Sequence, residues 1–254
     1  MFAEPITVTD VRDCHFYHSV DLPTIGEIGG HWDLRKGVDA YLSETKFSGQ
    51  RVLEIGTADG FVCFELEKRG AEVIAFDLSD GLSYDPLPLA DPRLSTITYG
   101  MAARLRQIRN AYWLSHRLLR SNAKVIYGHA SLLPEDIGMV DYCFLGNILQ
   151  HLESPLRAIS QAALRSRKGL VITEANWVPT LDQDQPVMFL LPAMRGDKPL
   201  DQWCYSWWQL SPGAISAWLE VIGFEVVKHY QHQQLYSKMQ IYVPHFTIVA
   251  RRSR

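Results

Sequence analysis

Apolar residues along this chain follow two spacing patterns. Short apolar runs such as VLEI and VIAF alternate with stretches such as FVCFELEKRG, in which apolar residues recur among charged ones. A short apolar run is typical of a strand buried in a parallel sheet, whereas the wider spacing is typical of an amphipathic helix. The pattern predicts strands at 51–55, 71–76, 124–128 and 169–174, another within 136–145, and helices between them. This order favours a doubly wound sheet.

The pattern changes near the end of the chain. A helix is predicted at 213–221, and Gly223 follows and ends it. A closing antiparallel hairpin is predicted from the composition of residues 224–229 and 241–250. Such a hairpin is not a feature of dinucleotide dehydrogenases. The predicted fold is therefore α/β and Rossmann-like, with a mostly parallel seven-stranded sheet, a C-terminal antiparallel hairpin and helices on both faces.

The length of 254 residues suits a single domain. Within it, the elements group into a cofactor-binding core preceded by one segment and followed by two others. An irregular, proline-containing stretch lies between the core and the last helix, where it could cover a substrate. The predicted parts are an N-terminal cap segment at 1–48, the core at 49–174, the insert at 175–210, and the C-terminal helix and hairpin at 211–254.

The turn after the first core strand carries the strongest local signal. Gly56, Ala58 and Gly60 are spaced at intervals of two, and Glu54 lies just ahead of them. A dinucleotide-binding turn has the spacing G-x-G-x-x-G, so this turn departs from that pattern. Asp77 follows the second strand, where an acid binds both ribose hydroxyls of a nucleotide cofactor. The turn resembles the first motif of class I S-adenosylmethionine (SAM) methyltransferases. A generic βαβ turn and an NAD site with a degraded third glycine remain alternatives.

Small and polar residues also follow the other predicted strands. Because the carboxyl ends of parallel strands meet at one edge of the sheet, we expect these residues to line one cleft. His129 and Ser131 stand where many SAM enzymes use an acid to hold the adenine. Gly146 would let the backbone approach the ligand, and Asn147 could bond the methionine portion of SAM. The predicted cofactor contacts are Glu54, Gly56, Thr57, Ala58, Gly60, Asp77, Leu78, Ala130, Ser131 and Asn147.

Histidines are the best candidates for a general base. In methyl transfer the cofactor supplies the chemistry and the protein aligns the reactants, but an oxygen or protonated nitrogen acceptor also needs a base with a pKa near neutrality. His151 lies one helical turn beyond Asn147 and is the first candidate. The alternative is that His151 bonds the backbone and only shapes the helix. His18 and Tyr17 come second, provided that the cap segment folds over the site.

Aromatic residues outside the core motif are candidates for a substrate pocket. A helix predicted at 102–121 has a basic and aromatic face, which is either a solvated surface or a substrate wall. The cluster HWDLR in the cap segment is explained equally well by packing. The tryptophan pair of WWQLS suits an enclosed pocket but could also stack on a splayed base. The predicted substrate contacts are Trp32, Asn110, Trp113, His116, Trp207 and Trp208.

The composition and charge of the chain limit the kinds of partner that we expect it to bind. A net charge of −3 weakens the case for nucleic acid without excluding a local basic patch. There is no apolar run long enough to span a bilayer and no signal-peptide pattern at the start, so we expect a cytoplasmic protein without a membrane partner. The 4 cysteines form no C-x-x-C pair, and no metal site is predicted. The oligomeric state is left open, with a homodimer as one arrangement.

Nearly the whole chain resembles one branch of the class I SAM-dependent methyltransferases. This branch comprises the tRNA wobble-uridine (uridine-34) methyl- and carboxymethyltransferases and related small-molecule methyltransferases. The glycine-containing turn is diagnostic of the superfamily, whereas the patterns YHS…LP, HL-x-x-P and WW-x-x-S point to the branch. The matching stretches are FYHSVDLP, HWDLR, VLEIGTADGFVCFELEKRGAEVIAFDL, FLGNILQHLESPLRAI and YSWWQLSPGAISAWLEVIGF.

The resemblance implies SAM or carboxy-SAM as cofactor, bound by Glu54, Gly56, Gly60 and Asp77, with S-adenosylhomocysteine (SAH) as the product of SAM. Two departures bear on the acceptor. The tRNA enzymes carry a longer N-terminal part that helps hold RNA, and no convincing lysine matches the one expected to hold the carboxylate of carboxy-SAM. We therefore expect methyl transfer to an oxygen or nitrogen of a small molecule, in a biosynthetic pathway. The alternative is a tRNA wobble-uridine modifying enzyme.

Overall fold

The computed structural model describes residues 1–79, 85–87, 94–178, 183–194 and 205–253, without the side chains of 94–99, 193 and 194. Its strands are β1 (Val20–Leu22), β2 (Gly26–Ile28), β3 (Trp32–Asp33), β4 (Arg51–Ile55), β5 (Glu72–Asp77), β6 (Lys124–Tyr127), β7 (Val140–Gly146), β8 (Ser166–Ala175), β9 (Met188–Leu190), β10 (Trp208–Leu210), β11 (Phe224–Tyr236) and β12 (Ile241–Arg252). Its α-helices are α1 (Val38–Tyr41), α2 (Phe61–Lys68), α3 (Leu94–Leu119), α4 (Pro155–Arg165) and α5 (Pro212–Val221). Short 3-10 helices lie at Val11–Asp13, Glu135–Ile137, Leu149–His151 and Leu191–Met194.

Eight strands form one mixed sheet in the order β3-β11-β12-β8-β7-β4-β5-β6. The strands from β8 to β6 in this order run parallel to one another, as the sequence predicts. β12 is antiparallel to β8 and to β11, so the predicted hairpin is confirmed. The predicted count of seven strands is wrong, because β11 runs on to Tyr236 and its free edge pairs with Trp32 and Asp33 of β3.

The two faces of the sheet are covered by different helices, as predicted. α2, α3 and the cap segment cover one face, and α4 and α5 cover the other. β4 contributes to both cores, since Val52 packs on the first side while Leu53 and Ile55 pack on the second. Successive side chains of a strand point to opposite faces, so a strand buried on both sides needs a continuous apolar run.

Two helices differ from their predicted bounds. The helix expected to begin around Ile148 is only the 3-10 helix Leu149–His151, after which Leu152 is extended. A new helix, α4, then begins at Pro155, because proline restricts the residue before it and suits the first turn of a helix. α3 begins at Leu94, earlier than predicted. None of the described helices has the length and apolarity needed to cross a membrane.

The cap segment and the insert each contain a small sheet of their own. β1 and β2 form an antiparallel pair in the cap segment, with Val20 opposite Ile28. β9 and β10 pair in the insert, with Trp208 opposite Leu190. Within the insert, residues 179–182 and 195–204 lie outside the described residues, and so does Cys204. The division of the chain into cap, core, insert and C-terminal part stays a prediction.

Candidate functional site

A cleft opens at the edge of the sheet where the parallel strands β4, β5, β6 and β7 end. It encloses about 840 Å³, counting its open mouth. Ligands bind at this edge in doubly wound sheets, because the turns that leave the strands form a crevice there. We call it the strand-end cleft. The predicted site residues that line it are Tyr17, His18, Gly56, Ala58, Asp77, Leu78, Ala130, Asn147 and His151.

The turn after β4 presents its backbone to this cleft. Gly56 has a φ of +88°, which glycine adopts without strain, and its N–H donates to the Phe76 carbonyl at 2.8 Å. A Cβ on Gly56 would lie 2.9 Å from Cδ1 of Ile148, so a side chain there would fill the space between two strand ends. The N–H of Ala58 donates to Oδ2 of Asp77 at 2.6 Å. This bond joins the turn to the end of β5.

Asp77 ends β5 with both carboxylate oxygens held by the backbone. Oδ2 accepts the Ala58 N–H at 2.6 Å, and Oδ1 accepts the Leu78 N–H at 2.7 Å. Burial raises the pKa of Asp77, while these two bonds and the nearby Arg109 guanidinium oppose the rise. Each carboxylate oxygen has two lone pairs and can accept a further donor. Asp77 is therefore oriented to accept two neighbouring hydroxyl groups of a ligand.

Three residues predicted to touch the cofactor lie behind the turn and do not line the strand-end cleft. Glu54 is buried and accepts a hydrogen bond from Thr57 Oγ1 at 2.7 Å, and burial raises the pKa of Glu54 to about 8. A Cβ on Gly60 would lie 2.5 Å from Cε2 of Phe64 and 2.7 Å from Cδ2 of Tyr112. Glu54, Thr57 and Gly60 thus support the shape of the turn without lining the strand-end cleft.

Asn147 forms the opposite wall of the cleft, with its amide fixed at both ends. Its Oδ1 accepts the Ala175 N–H at 2.7 Å, and its Nδ2 donates to Nε2 of His245 at 3.1 Å. Nδ1 of His245 donates to the Val243 carbonyl at 2.9 Å, which leaves Nε2 as the acceptor. An amide nitrogen has two hydrogens, so one hydrogen of Asn147 Nδ2 remains for a ligand.

His151 lies in the cleft on the 3-10 helix after β7. Nδ1 of His151 is 2.7 Å from the Tyr205 carbonyl and donates to it, so Nε2 is unprotonated in the neutral ring. Burial lowers the pKa of His151. The bond from Nδ1 to the backbone matches the alternative prediction. The unprotonated Nε2 is what the predicted base requires. The segment is held by Glu174, whose Oε1 accepts the N–H groups of Ile148 and Leu149 at 3.0 and 2.9 Å.

The cap segment also reaches the cleft, with Tyr17 and His18 at its wall. Nδ1 of His18 lies 2.6 Å from Oδ1 of Asp59, and Oδ2 of Asp59 accepts the N–H groups of Tyr17 and His18 at 2.8 and 2.7 Å. The hydroxyl of Tyr17 accepts a hydrogen bond from the Trp32 indole at 3.2 Å. Burial raises the pKa of Tyr17, so its phenol stays protonated near neutral pH and is a poor base there.

The turn after β6 holds His129 at the cleft and Ser131 behind it. Nδ1 of His129 accepts the Ser131 N–H at 3.3 Å and lies 2.7 Å from its hydroxyl, so Nε2 carries the hydrogen and donates to Oδ1 of Asp85 at 3.0 Å. This bond raises the pKa of His129. Asp85 lines the cleft together with His129. Hence the polar pair at this end is Asp85 and His129, with Ser131 as support for the ring.

The predicted substrate wall on α3 does not reach the strand-end cleft. Nδ2 of Asn110 donates to a carbonyl of the cap segment at 2.9 Å, and Nε1 of Trp113 donates to the Tyr127 hydroxyl at 2.9 Å. Nε2 of His116 lies 3.0 Å from the carbonyl of Ala123, just before β6. These polar groups hold α3 against its neighbours. The aromatic face of α3 packs against the sheet and not against the cleft.

The predicted tryptophans also have structural partners. Trp32 is 4% exposed and packs against the rings of Tyr236 in β11, Trp177 in the insert and His245 in β12. Nε1 of Trp207 donates to the Asp85 carbonyl at 2.6 Å, and Nε1 of Trp208 donates to the Glu153 carbonyl at 3.1 Å. Within the described part of the chain, none of the three lines the cleft. Trp32 and Trp207 each bond a residue that does line it, Tyr17 and Asp85 respectively.

Sequence reasoning missed five polar residues that form or support the site. Tyr41 is 2% exposed and lines the cleft. Its hydroxyl lies beside Gly146, where an added Cβ would be 2.7 Å from it. The only sequence signal for Tyr41 was its aromatic side chain within the cap segment. Two of the three acidic residues had a positional signal in the sequence. Asp59 lies in the turn after the first core strand, and Glu174 ends the strand predicted at 169–174. The five are Tyr41, Asp59, Asp85, Glu174 and His245.

No group of three or more histidine, cysteine or carboxylate side chains that could hold a metal ion occurs among the described residues. Of the cysteines within this part of the chain, Cys63 and Cys143 are buried and reduced, and Cys14 is half-buried. Burial raises the pKa of Cys14 to about 11, so its thiol is protonated near neutral pH.

No protein-family model and no curated protein sequence matches this chain, whereas solved structures match it over most of its length. Magnesium protoporphyrin IX methyltransferase from Synechocystis PCC 6803 with bound SAM matches at 17% identity and a TM-score of 0.53, over 86% of this chain and 77% of that one. The 1,6-didemethyltoxoflavin-N1-methyltransferase from Burkholderia thailandensis matches at 11% identity and 0.51, over 87% and 78%. A SAM-dependent methyltransferase from Methanosarcina mazei matches at 16% identity and 0.54, over 87% and 99%.

These similarities show the class of fold. The chain has the Rossmann-like fold of the class I SAM-dependent methyltransferases, as its sequence predicts. At identities of 11 to 17% the comparison does not single out a branch, so the resemblance to the wobble-uridine enzymes is not confirmed.

Proposed function

We propose that this protein is a SAM-dependent methyltransferase that acts on an oxygen or nitrogen of a small molecule in a biosynthetic pathway. The observation that carries the proposal is the convergence in one cleft of the turn after β4, the carboxylate of Asp77 and the turn after β7. Solved structures of the same fold contain SAM or SAH, which supports the same class of cofactor.

The residues of the strand-end cleft fit SAM. Asp77 retains acceptor capacity for the two ribose hydroxyls, and the apolar side chains of Leu78 and Ile108 line the cleft beside it and suit an adenine ring. Asn147 keeps one Nδ2 hydrogen for the methionine portion, and Gly56 leaves room for it. When bound, SAM supplies an electrophilic methyl group on a positively charged sulfur, and the protein's task is alignment.

A small-molecule acceptor is favoured over tRNA by two observations. The net charge of −3 does not suit a broad phosphate footprint. In addition, the aromatic residues that could have stacked on a splayed base, Trp207 and Trp208, donate their indole N–H groups to the carbonyls of Asp85 and Glu153 within the protein.

The ligands that the purified protein carries and binds test this function. We expect mass spectrometry of the denatured protein to detect SAM or SAH, together with any retained acceptor. In calorimetry, SAH should bind at least about 100-fold more tightly than NAD, because NAD shares the adenosine but places a pyrophosphate where the cleft offers no matching glycine pattern. Tighter binding of NAD would instead establish the dinucleotide alternative for the turn after β4.

Binding of bulk tRNA separates the two classes of acceptor. A tRNA-modifying enzyme would bind tRNA at moderate salt, with an affinity that falls steeply as the salt concentration rises. We expect no such binding. If it is observed, the acceptor assignment is wrong, while SAH binding would still support the methyltransferase activity.

Tyr41 gives a smaller, local prediction. Its hydroxyl lines the cleft and has no hydrogen-bond partner among the described residues, so Tyr41→Phe removes no bond within the protein there. We expect SAH to bind about three- to tenfold more weakly, the size of one neutral hydrogen bond, with the thermal midpoint unchanged. Tyr142→Phe on β7 is the matched control, since Tyr142 does not line the cleft. Equal SAH affinities for both variants would show that the Tyr41 hydroxyl does not contact the cofactor.

A further inference from the structure

The buried carboxylate of Asp59 fixes which nitrogen of His18 carries a hydrogen. A carboxylate only accepts hydrogen bonds, so Nδ1, which lies 2.6 Å from Oδ1 of Asp59, is the protonated nitrogen. In the neutral ring Nε2 then carries a lone pair. No group among the described residues bonds Nε2, and the side chain of His18 lines the cleft with 12% of its surface exposed. His18 thus presents a proton acceptor to a ligand.

The other histidine candidate, His151, is held differently. Nδ1 of His151 donates to the neutral carbonyl of Tyr205, whereas Nδ1 of His18 donates to a carboxylate that is fully buried. A negative partner stabilises the imidazolium that forms when the ring takes up a proton, and a neutral partner does so much less. The contacts at Nδ1 therefore favour His18 over His151 as the base.

We propose that His18, held by Asp59, is the general base of this enzyme and that its acceptor is a hydroxyl group of phenol-like or enol-like acidity. This inference rests on the proposed methyltransferase function and deepens it. His18 is the catalytic residue, because it faces the cleft, and Asp59 is a positioning residue that acts through His18.

The methyl transfer balances in protons and electrons without any further reactant. The acceptor oxygen forms a bond to the methyl carbon while its proton passes to Nε2 of His18, and the sulfur keeps the electron pair of the bond that breaks. The imidazolium next to Asp59 then releases its proton to solvent. The positive charge that starts on the sulfur thus leaves the site as a proton.

The presence of a carboxylate-held histidine narrows the acceptor. A carboxylate acceptor is already ionised and needs no base, and a neutral amine can attack before it loses a proton. An aliphatic alcohol can also use a carboxylate-held histidine, but it is a much weaker acid than a phenol, so proton transfer from it to an imidazole is less favourable. A phenol or an enol lies between these limits, so it gains most from a histidine base.

Asp59 also has a structural function, and the test has to separate the two. Its Oδ2 accepts two backbone N–H groups, so removal of the side chain would loosen the cap segment regardless of catalysis. Asp59→Asn keeps an oxygen for these bonds, but its amide donates to Nδ1 of His18. The ring must then carry its hydrogen on Nε2, which removes the lone pair from the cleft. Asp141→Asn is the matched control, because Asp141 accepts the Arg51 N–H at 2.9 Å at the opposite edge of the sheet.

The first experiment measures the tautomer and needs no acceptor. Long-range ¹⁵N–¹H NMR of the SAH complex should show His18 with Nδ1 protonated in the native protein and Nε2 protonated in Asp59→Asn, with His18→Gln assigning the signal among the 9 histidines. A native ring protonated on Nε2 would overturn the dyad. Failure of SAH to bind at all would instead remove the proposed function, so the two failures are distinguishable.

The second experiment follows methyl transfer from SAM to a panel of phenols, enols, aliphatic alcohols, carboxylic acids and amines. We expect methylation of phenols or enols, with kcat lowered about 100-fold or more in His18→Gln and Asp59→Asn while SAH affinity is retained. The acid limb of the native pH–rate profile should disappear in His18→Gln, which a purely structural effect would not cause. The exposed His229→Gln should match the native protein. A panel in which no phenol or enol is methylated overturns the acceptor class, and an unchanged kcat in His18→Gln overturns the base.

Discussion

Replacing Asp77 with alanine is expected to weaken SAM binding by about 100-fold or more, because a charged acceptor of two ligand hydroxyls contributes about 1.5–3 kcal/mol for each bond. The carboxylate is preoriented for this contact by the N–H groups of Ala58 and Leu78, at 2.6 and 2.7 Å. The ligand therefore bears little of the cost of fixing the side chain. Asp77→Asn should lie between the native protein and the alanine variant, since an amide has only one acceptor atom.

Calorimetry with SAH, performed on variants whose circular dichroism matches that of the native protein, checks this result. Asp77 also stabilises the turn after β4, so the comparison needs a variant that loses a similar bond away from the cleft. Asp141→Ala serves this purpose, because its carboxylate accepts the Arg51 N–H at 2.9 Å on the far edge of the sheet. Equal loss of SAH affinity in both variants would mean that Asp77 acts through stability and not through the ligand.

The core of the fold could be predicted from the sequence because local patterns determine it. The apolar runs that became β4, β5, β7 and β8 are continuous, as strands buried on both faces require. The eighth strand was missed because β3 comprises only Trp32 and Asp33, and its pairing depends on how far β11 extends. The helix predicted after β7 proved to be a single turn for a similar reason, since Glu174, far away in sequence, holds its N–H groups.

The candidate site was predictable on one side only. Gly56, Asp77 and Asn147 follow strands, and parallel topology brings strand ends together, so their place in the cleft follows from order along the chain. The wall expected on α3 depended on which face of that helix packs inward. Periodicity gives two faces without saying which one meets the sheet, and the aromatic face of Trp113 turned out to be buried.

The pairing of His18 with Asp59 shows a further limit of sequence reasoning. Each residue lies in a stretch that the sequence marks as distinctive, but their contact at 2.6 Å depends on the path of the cap segment across the turn. Nothing in the spacing of either motif gives that path. A buried polar contact between motifs can therefore be recognised only after the fold is known, although it decides which histidine faces the cleft as a base.

Buried carboxylates recur at this edge of the sheet, and they make stability depend on pH. Glu174 is 3% exposed, and burial raises its pKa from 4.5 to about 8, against the opposing effect of three backbone N–H bonds. Its folded pKa lies above its unfolded value, so the folded state binds more protons between these pH values. The contribution of Glu174 to stability is then fully present below about pH 4.5 and is lost as the pH rises through about 8.

Glu174→Gln should remove this dependence. Glutamine is neutral at every pH, and its Oε1 can still accept the N–H groups of Ile148 and Leu149. We expect the native free energy of unfolding, relative to that of the variant, to fall by a few kcal/mol, on the order of 1.4 kcal/mol per unit of pKa shift, as the pH rises from about 5 to about 9. Guanidinium chloride denaturation at both pH values measures this difference.

The comparison between variants is needed because other groups titrate in the opposite sense. Burial lowers the pKa of His232 and His245 to about 4, so both contribute stability that is lost as the pH falls below their unfolded value of 6.5. Those contributions cancel in the difference between the native protein and Glu174→Gln. Glu225→Gln, on the exposed side of β11, should show no such change with pH. A difference for Glu174→Gln that is equally independent of pH would mean that its carboxyl group titrates alike in the folded and unfolded chains, and that the segment carrying His151 is held by an ionised acceptor throughout.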